Sequence, residues 1–538
     1  MLATGTFTVE NSYRSPVPDI SHAATFVDNS KTLMSNPMLA KTLATFLILT
    51  IGSAADEQRA ADRHTASQDV IIQNVTLISP ERAAPLLHAD VILRDGKIAE
   101  IGTHLAPTPH ARRIDGTGRF LIPGLIDSHV HVGHSAALDD DAIDAHPDLW
   151  AAYRAQVPRA YLAFGFTSIV DLDLTASDQA WFEGTPIHPH LYSCGRGIKV
   201  AGGYMALNIP SPSSPNFPNL VPNLVYDPKE ADHWPKDLNP ADYTPDRAVS
   251  RAADAGAVCV KAFVESGFGV FNWPYLHTET LQKIQAAAKA RNLVLMVHAN
   301  SISSWQSALD AHADIVAHGL WVWPGDFGSS VPPQAAIDAI AAAGRSGTHV
   351  QPTLQTVAGE QAMLDPSLLD DPRLTLSLPP AVIKYLKSPD GVKARTALLE
   401  EYRKASPAPG FEPLLKAAIE RTRATFKLML QDHVPLIFGT DTPGVDGFGN
   451  PPGLNGRLEL QNWADAGAPL SLILRAATLD NAIALGLSRK IGSIEIGKRA
   501  DLLLLNNNPL TNASAYDSIV TIFLDGEPVA RESLRPHD

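Results

Sequence analysis

Short apolar runs alternate with helix-period segments from about residue 121 to residue 441, and this alternation restricts the fold more than any other feature of the chain. An apolar run of roughly four to eight residues reads as a strand covered on both faces. Strands separated by amphipathic helices pair in parallel, because each crossover brings the chain back to the same end of the sheet. Eight such runs are legible: 121–131 (LIPGLIDSHVH), 167–172, 190–194, 257–263 (AVCVKAF), 293–298, 314–318, 349–354 and 435–441 (PLIFGTD). Segments such as TETLQKIQAAAKAR and PQAAIDAIAAAGR separate most of them. The predicted fold class is therefore α/β, a (β/α)8 TIM barrel.

Residues 69–120 read differently, as alternating strands with a hairpin signal at Asp95-Gly96, and a matching unit with Asp525-Gly526 follows residue 490. Chain ends commonly lie close together, so the two halves are expected to form one small β-sandwich. The domain reading is a leader over 1–68, a composite sandwich from 69–120 and 488–538, and a barrel over 121–487. Two connections, 195–256 and 356–430, are too long for plain loops; the first holds nine prolines between Pro210 and Pro245. Each follows a strand and is expected on the C-terminal rim of the barrel.

Lys and Arg number 43 against 57 Asp and Glu, a net charge of −14, and no basic stripe points to a nucleic-acid partner. Two cysteines, Cys194 and Cys259, allow at most one disulfide and no thiolate zinc site. Near the start, Lys41, an apolar run from Leu43 to Ile51 and the small residues Gly52–Ala55 make a signal-peptide pattern over 38–55. The run is shorter than the roughly 20 residues of a spanning helix, so no permanent anchor is expected. Initiation at Met34 or Met38 and cleavage near Ala54 or Ala55 would release a periplasmic or secreted protein.

His129 and His131 lie two apart on the first strand, so both imidazoles point to one face. His298 closes the fifth strand, His318 the sixth and Asp441 the eighth, while Lys261 sits inside the fourth. Ends of barrel strands converge on one mouth, where this architecture places its reactive groups. A lone histidine at a strand end is ordinarily a satisfied polar residue, but six such groups on one mouth are not. Imidazole and carboxylate suit zinc, or manganese, iron or cobalt. A lysine aimed into a barrel core is costly as an ammonium; burial favours the neutral amine, which can take up carbon dioxide as a carbamate able to bridge two cations. Asp127 shares the face of the two histidines and reads as a group that orients a ligand. His134, Tyr204, Asn455 and Arg457 follow strands one, three and eight and are candidate substrate contacts, Tyr204 foremost. Trp321 and Trp323 would be an aromatic wall or rim packing.

LIPGLIDSHVH, LMVHAN, IVAHG, GTDTPG and the closing GSIEIGKRADLLLL together resemble the metal-dependent amidohydrolase superfamily, from about residue 69 to the C-terminus. The strand AVCVKAF resembles the branch with bacterial Xaa-Pro dipeptidases, imidazolonepropionase-like proteins and ochratoxin-hydrolysing amidases. The resemblance implies a binuclear centre of two divalent ions, zinc foremost. His129 and His131 would hold one ion, His298 and His318 the other, and the Lys261 carbamate would bridge them. Asp441 would be both ligand and general base. Many members carry Gly-Gly-His after strand three, where this chain has Ala201-Gly202-Gly203-Tyr204. The activity implied is cleavage of an amide bond in a dipeptide or N-acyl amino acid by a metal-activated hydroxide. A cyclic amide, lactone or ester is the alternative at the same centre. A non-catalytic binding scaffold would be expected to lack ligands, and none is missing. Partners are then a small-molecule amide or peptide, with self-association into a homo-oligomer left open.

Overall fold

The computed structural model describes residues 68–207, 209, 220–324, 329–406, 408–444 and 447–536, so the leader and the signal-peptide reading at 38–55 lie outside the described residues. Five strands come first: β1 (Val70–Leu77), β2 (Leu86–Arg94), β3 (Lys97–Gly102), β4 (Arg112–Asp115) and β5 (Phe120–Pro123). Asp95 and Gly96 turn β2 into β3 with φ of 50° and 74°, the left-handed pair a two-residue hairpin needs. The barrel strands follow as β6 (Leu125–Val130), β7 (Phe166–Asp171), β8 (His190–Ser193), β9 (Cys259–Phe263), β10 (Val294–His298), β11 (Ile315–Ala317) and β12 (His349–Gln351). The chain ends with β13 (Leu502–Leu505), β14 (Ile519–Leu524) and β15 (Glu527–Ala530).

Both chain ends enter one eight-stranded sheet, in the order β15-β14-β13-β5-β1-β2-β3 with β4 beside β1. Its strand β13 shows why four consecutive leucines are tolerated: both of its faces are covered. Leu502 and Leu504 pack with Val70, Ile72, Val91 and Leu121 inside the sheet's own apolar core. Leu503 and Leu505 turn the other way and join the barrel core with Ile122, Ile519 and Ile522.

In the barrel, β6, β7 and β8 pair in parallel, as do β9 to β12. Helices fill the crossovers. Helix Thr278–Lys289, between β9 and β10, buries Leu281, Ile284 and Ala288 at the helical spacing. Helix Ile302–Asp310 starts at a Ser301–Ser304 capping box, and Gln334–Ser346 stops at Gly347, whose φ is 73°. Between β8 and β9 the wall is closed by Ile198, whose N–H donates to Lys261 O (2.7 Å) and whose carbonyl accepts from Phe263 N (3.1 Å). Cys194 and Cys259 form a disulfide at this same seam. The two long connections follow β8 and β12, and part of the second packs on the C-terminal segment, where Arg535 donates to Thr375 Oγ1 (3.1 Å). The first carries short turns such as Val221–Asn223 and Pro228–His233, the second the helices Pro380–Lys387 and Pro389–Ala405.

Two predicted strands differ in the structure. The run 121–131 is divided at Gly124, whose N–H donates to Asp501 O (2.8 Å), so β5 belongs to the terminal sheet and β6 to the barrel. The eighth run, 435–441, is not a regular ladder strand. It alternates between neighbours: Ile437 N donates to Val350 O (3.0 Å) on the β12 side, while Ser128 N donates to Phe438 O (3.3 Å) on the β6 side. Single bridges, Leu436 to Val350 and Thr442 to Val130, close the cylinder on the two sides, and Asp441 between them holds a positive φ of 56°. Among the described residues, no helix is long and apolar enough to cross a membrane.

Gly124 sits where sheet passes into barrel, and a Cβ there would lie 2.0 Å from Thr167 Oγ1 and 2.8 Å from its Cγ2. Gly124→Ala is therefore expected to cost about 1–3 kcal/mol through overpacking and to lower the melting temperature. Pairing it with Thr167→Ala should recover part of the loss in the same calorimetric scan.

Candidate metal centre

Each group of the candidate centre is placed by a barrel strand or by the irregular eighth segment. His129 lies on β6 and His131 one residue beyond it, Lys261 in mid-β9, His298 at the end of β10, His318 one residue after β11, and Asp441 on the irregular eighth segment. Both imidazoles of the His-x-His pair reach the same carboxylate oxygen: His129 Nε2 is 3.0 Å and His131 Nε2 3.1 Å from Asp441 Oδ1. The Lys261 ammonium nitrogen is 3.4 Å from His129 Nε2, and His318 Nδ1 is 3.8 Å from Asp441 Oδ2. His129, His318 and Asp441 form a compact donor group, with one ligand atom of each within 4.8 Å of the others. His298 stands beside this group rather than in it. Its ring contacts that of His318 (4.4 Å between centroids), while its Nε2 meets Asn300 Nδ2 at 2.9 Å.

The backbone is aimed with some strain. His318 and Asp441 hold positive φ (79° and 56°), as does Thr353 (45°), conformations that β-branched and ordinary residues keep only when the surroundings impose them. Thr353 Oγ1 lies 2.9 Å from His318 Nδ1.

Burial dominates the electrostatics. Lys261 is fully buried, and desolvation brings its amine down to about 7 against the pull of Asp441. Burial and then the Lys261 charge push His129 down to about 3, and burial holds His318 well below the usual imidazole value. For Asp441 burial acts the other way, yet the His129 and His131 imidazoles outweigh it and hold the carboxyl well below the carboxylate range. His131 is the exception: against burial, the Asp441 carboxylate raises its imidazole above the usual value. A largely buried anionic acceptor is thus faced by His129 and His318 as neutral nitrogen donors, a set suited to a divalent cation. His131 turns Nε2 to this acceptor, and its Nδ1 is buried without a hydrogen-bond partner.

Sequence reasoning missed several supporting groups. Gln351, the last residue of β12, sets its Oε1 3.1 Å from His129 Nδ1 and donates through Nε2 to Ser128 O (3.1 Å), which orients the imidazole. Asp171 accepts from Val132 N (2.7 Å) just beyond His131. Glu265 faces His298 (3.7 Å) and accepts from Asn300 Nδ2 (3.3 Å). A polar side chain inside a buried strand is the only signal that marks Gln351 in advance. Asp127 acts as a clasp: its Oδ2 accepts from Thr440 Oγ1 (2.6 Å) and its Oδ1 from Thr440 N (3.1 Å) and His129 N (3.2 Å).

Of the candidate substrate contacts, Tyr204 lies at the mouth with its ring 4.9 Å from that of His298. His134 is half-buried and stacks on His131, 5.3 Å between ring centroids. Asn455 and Arg457 are corrections. Asn455 is wholly buried and donates to Thr442 Oγ1 (2.7 Å), and Arg457 pairs with Asp517 (2.7 Å), so both brace the frame. Trp321 donates to Asn300 Oδ1 (2.9 Å) and stacks on Phe268, whereas Trp323 packs under the Arg421 guanidinium at 4.4 Å.

Fold and mouth together define a (β/α)8 barrel with a His/Lys/Asp cluster fitted for divalent metal. The amidohydrolase family model matches residues 120–529, more than half of the chain, and the chain belongs to that family. The L-hydantoinase of Paenarthrobacter aurescens is 38% identical over 64 residues, 12% of this chain and 13% of that protein, so the chain covers only a small part of that curated relative. Solved structures share the fold over far more of the chain. A Xaa-Pro dipeptidase with methionine bound in its active site superposes with a TM-score of 0.55 at 19% identity, covering 86% of this chain and 100% of that one. The A. niger ochratoxinase gives 0.57 at 19%, covering 86% and 95%.

Gln351→Leu keeps the size of the side chain and removes both hydrogen bonds. Zinc affinity, measured by competition with a chromogenic chelator, is expected to fall about 10–100-fold.

Proposed function

We propose that this protein is a binuclear metal hydrolase that cleaves an amide bond in a dipeptide or N-acyl amino acid carrying a bulky, apolar portion. The observation that carries the reading is the convergence of His129 and His131 on one oxygen of Asp441, with Lys261 Nζ 3.4 Å from His129. His129 and His131 would hold one ion, His298 and His318 the second, with Asp441 as a further ligand; zinc fits this nitrogen-rich set. A Lys261 held as the free amine by burial can add to carbon dioxide, forming an N–C bond and losing a proton, and the resulting carbamate would supply an anionic ligand to the ions. When bound, such ions supply acidity to a water molecule and polarise the scissile carbonyl.

The chain's own residues do the rest. Asp441 is kept ionised by two imidazoles, so it is set to take the proton of the attacking water. As the C–N bond breaks, the same carboxyl returns that proton to the leaving nitrogen. Tyr204, Phe268, Trp273 and Trp321 line the approach to His298 with ring centroids 5.4–5.8 Å apart, a surface for an apolar or aromatic group. Names among the relatives support amide chemistry: a Xaa-Pro dipeptidase and an ochratoxinase by fold, an L-hydantoinase by local sequence. The hydantoinase match also favours a second reading, a cyclic amide at the same centre. Export to an oxidising compartment is part of the proposal, supported by the Cys194–Cys259 disulfide and the signal-peptide pattern.

Asp441→Asn should retain much of the metal yet lose about 10²–10⁴-fold in kcat. Lys261→Ala should lose metal and activity together and regain part of both with an added short carboxylic acid; near-wild-type turnover without the acid would exclude the carbamate. A panel of dipeptides, N-acyl amino acids, hydantoins and lactones, read by mass spectrometry on the zinc-loaded protein, tests the substrate. Release of free amino acids from apolar members is the expected outcome; hydrolysis confined to the rings would select the second reading. No hydrolysis together with no bound metal would leave a binding scaffold.

A further inference from the structure

A second cluster lies at the opposite end of the barrel. His190 is the first residue of β8, Asp501 immediately precedes β13, and Asp525 sits in the β14–β15 turn. The mouth is at the C-terminal ends of the parallel strands, so His190 is on the floor. Its Nε2 is 3.3 Å from Asp501 Oδ2, 3.4 Å from Asp501 Oδ1 and 3.6 Å from Asp525 Oδ2. These donors form the only His/Asp group of metal-binding compactness among the described residues besides the one at the mouth.

The spacing is informative. A charge-assisted hydrogen bond to a carboxylate closes to about 2.7–2.9 Å. Donor atoms arranged tetrahedrally about 2.0–2.1 Å from a zinc ion stand about 3.3 Å apart. The two His190–Asp501 distances, 3.3 and 3.4 Å, lie near the second value, and His190–Asp525 at 3.6 Å is slightly longer. Independently, Asp501 is almost wholly buried, its Oδ1 accepts from Asp525 N (2.9 Å), and its Oδ2 is buried with no hydrogen-bond partner. A buried carboxylate oxygen without a donor is costly unless a cation completes it. Arg499 stands at the edge, 4.0 Å from Asp501 Oδ2 and 3.6 Å from Asp525 Oδ1, too far to hydrogen-bond either. Two carboxylates against one guanidinium leave one formal negative charge beside the imidazole. Asp525 is exposed, so the site opens to solvent on one side and leaves room for water as the fourth ligand.

We propose that His190, Asp501 and Asp525 form a structural site for a divalent transition ion of the zinc type, which ties the floor of the barrel to the terminal sheet. The location suits that role. Asp501 O already accepts from Gly124 N, the residue at which the chain passes from sheet to barrel, so one ion would join β8, the start of β13 and the β14–β15 hairpin at this junction. The ion performs no chemistry there; it adds to the packing and the hydrogen bonds that already join the two units, such as Gly124 N to Asp501 O.

The test is a metal count on the full chain, stripped with chelator, reloaded with Zn2+ and freed of excess. The parent is compared with His190→Gln and Asp525→Asn by plasma mass spectrometry. Each variant is expected to hold one zinc per chain fewer than the parent, and Zn2+ should raise the melting temperature of the stripped parent by more than that of either variant. Equal zinc content in the parent and both variants would overturn the proposal. Asp525→Asn alters an exposed side chain and keeps the test decisive if His190→Gln does not fold. Because metal is counted rather than turnover, the result is independent of any reaction at the mouth.

Discussion

The candidate centre depends on the seam where β6 meets the irregular eighth segment. Asp441 N donates to His129 O and His131 N to Thr442 O, both at 2.7 Å, so the segments bearing three of the six groups are fixed to one another through backbone hydrogen bonds. Asp127 clasps the same seam by taking both the N–H and the hydroxyl of Thr440. Burial pushes its carboxyl up to about 7 against those donors, a cost carried by the geometry it maintains. Gly439 permits the approach, since a Cβ there would fall 2.9 Å from the Cβ of His129 and from Gln351 Nε2. Shifting this pairing by one residue would turn both imidazoles away from Asp441.

The remaining strands deliver their groups to this seam at different levels of security. Lys261 is held within a regular parallel ladder, paired opposite Met296, and cannot withdraw from the core. His298 and His318 stand at or just past the ends of their strands, where side-chain partners must do what the ladder does for Lys261. Thr353 does so for His318, and Asn300 with Glu265 for His298. The positive φ values at His318, Thr353 and Asp441 fall on this part of the mouth, in keeping with strain being retained where a site requires it. The aromatic surface around Tyr204 lies over His298, so this imidazole borders the region a substrate would enter.

Much of this was legible from residue order because it rests on local periodicity. The two-residue repeat puts His129 and His131 on one face, and a lysine inside AVCVKAF stands out in any buried strand. Misreadings arose where a local pattern met a long-range partner. Arg457 looks like a rim contact until Asp517, sixty residues on, takes its guanidinium, and Asn455 until Thr440 and Thr442 bury it. LIPGLIDSHVH reads as one strand because nothing local reveals that Gly124 will bond to Asp501 and divide it.

Residue order alone determined the alternation of strands and helices and singled out the six groups for one mouth, because these follow from periodicities of two and 3.6 residues and from side-chain chemistry; the family showed in the resemblance of whole motifs such as LIPGLIDSHVH and GTDTPG. Only the folded structure decided that the eighth run would close the cylinder without becoming a ladder strand. It alone joined Gln351 to His129 and set His190 beside Asp501 and Asp525, more than 300 residues away. Such partners are chosen by where the barrel and sheet bring distant backbone together, and no local pattern in the chain encodes that distance.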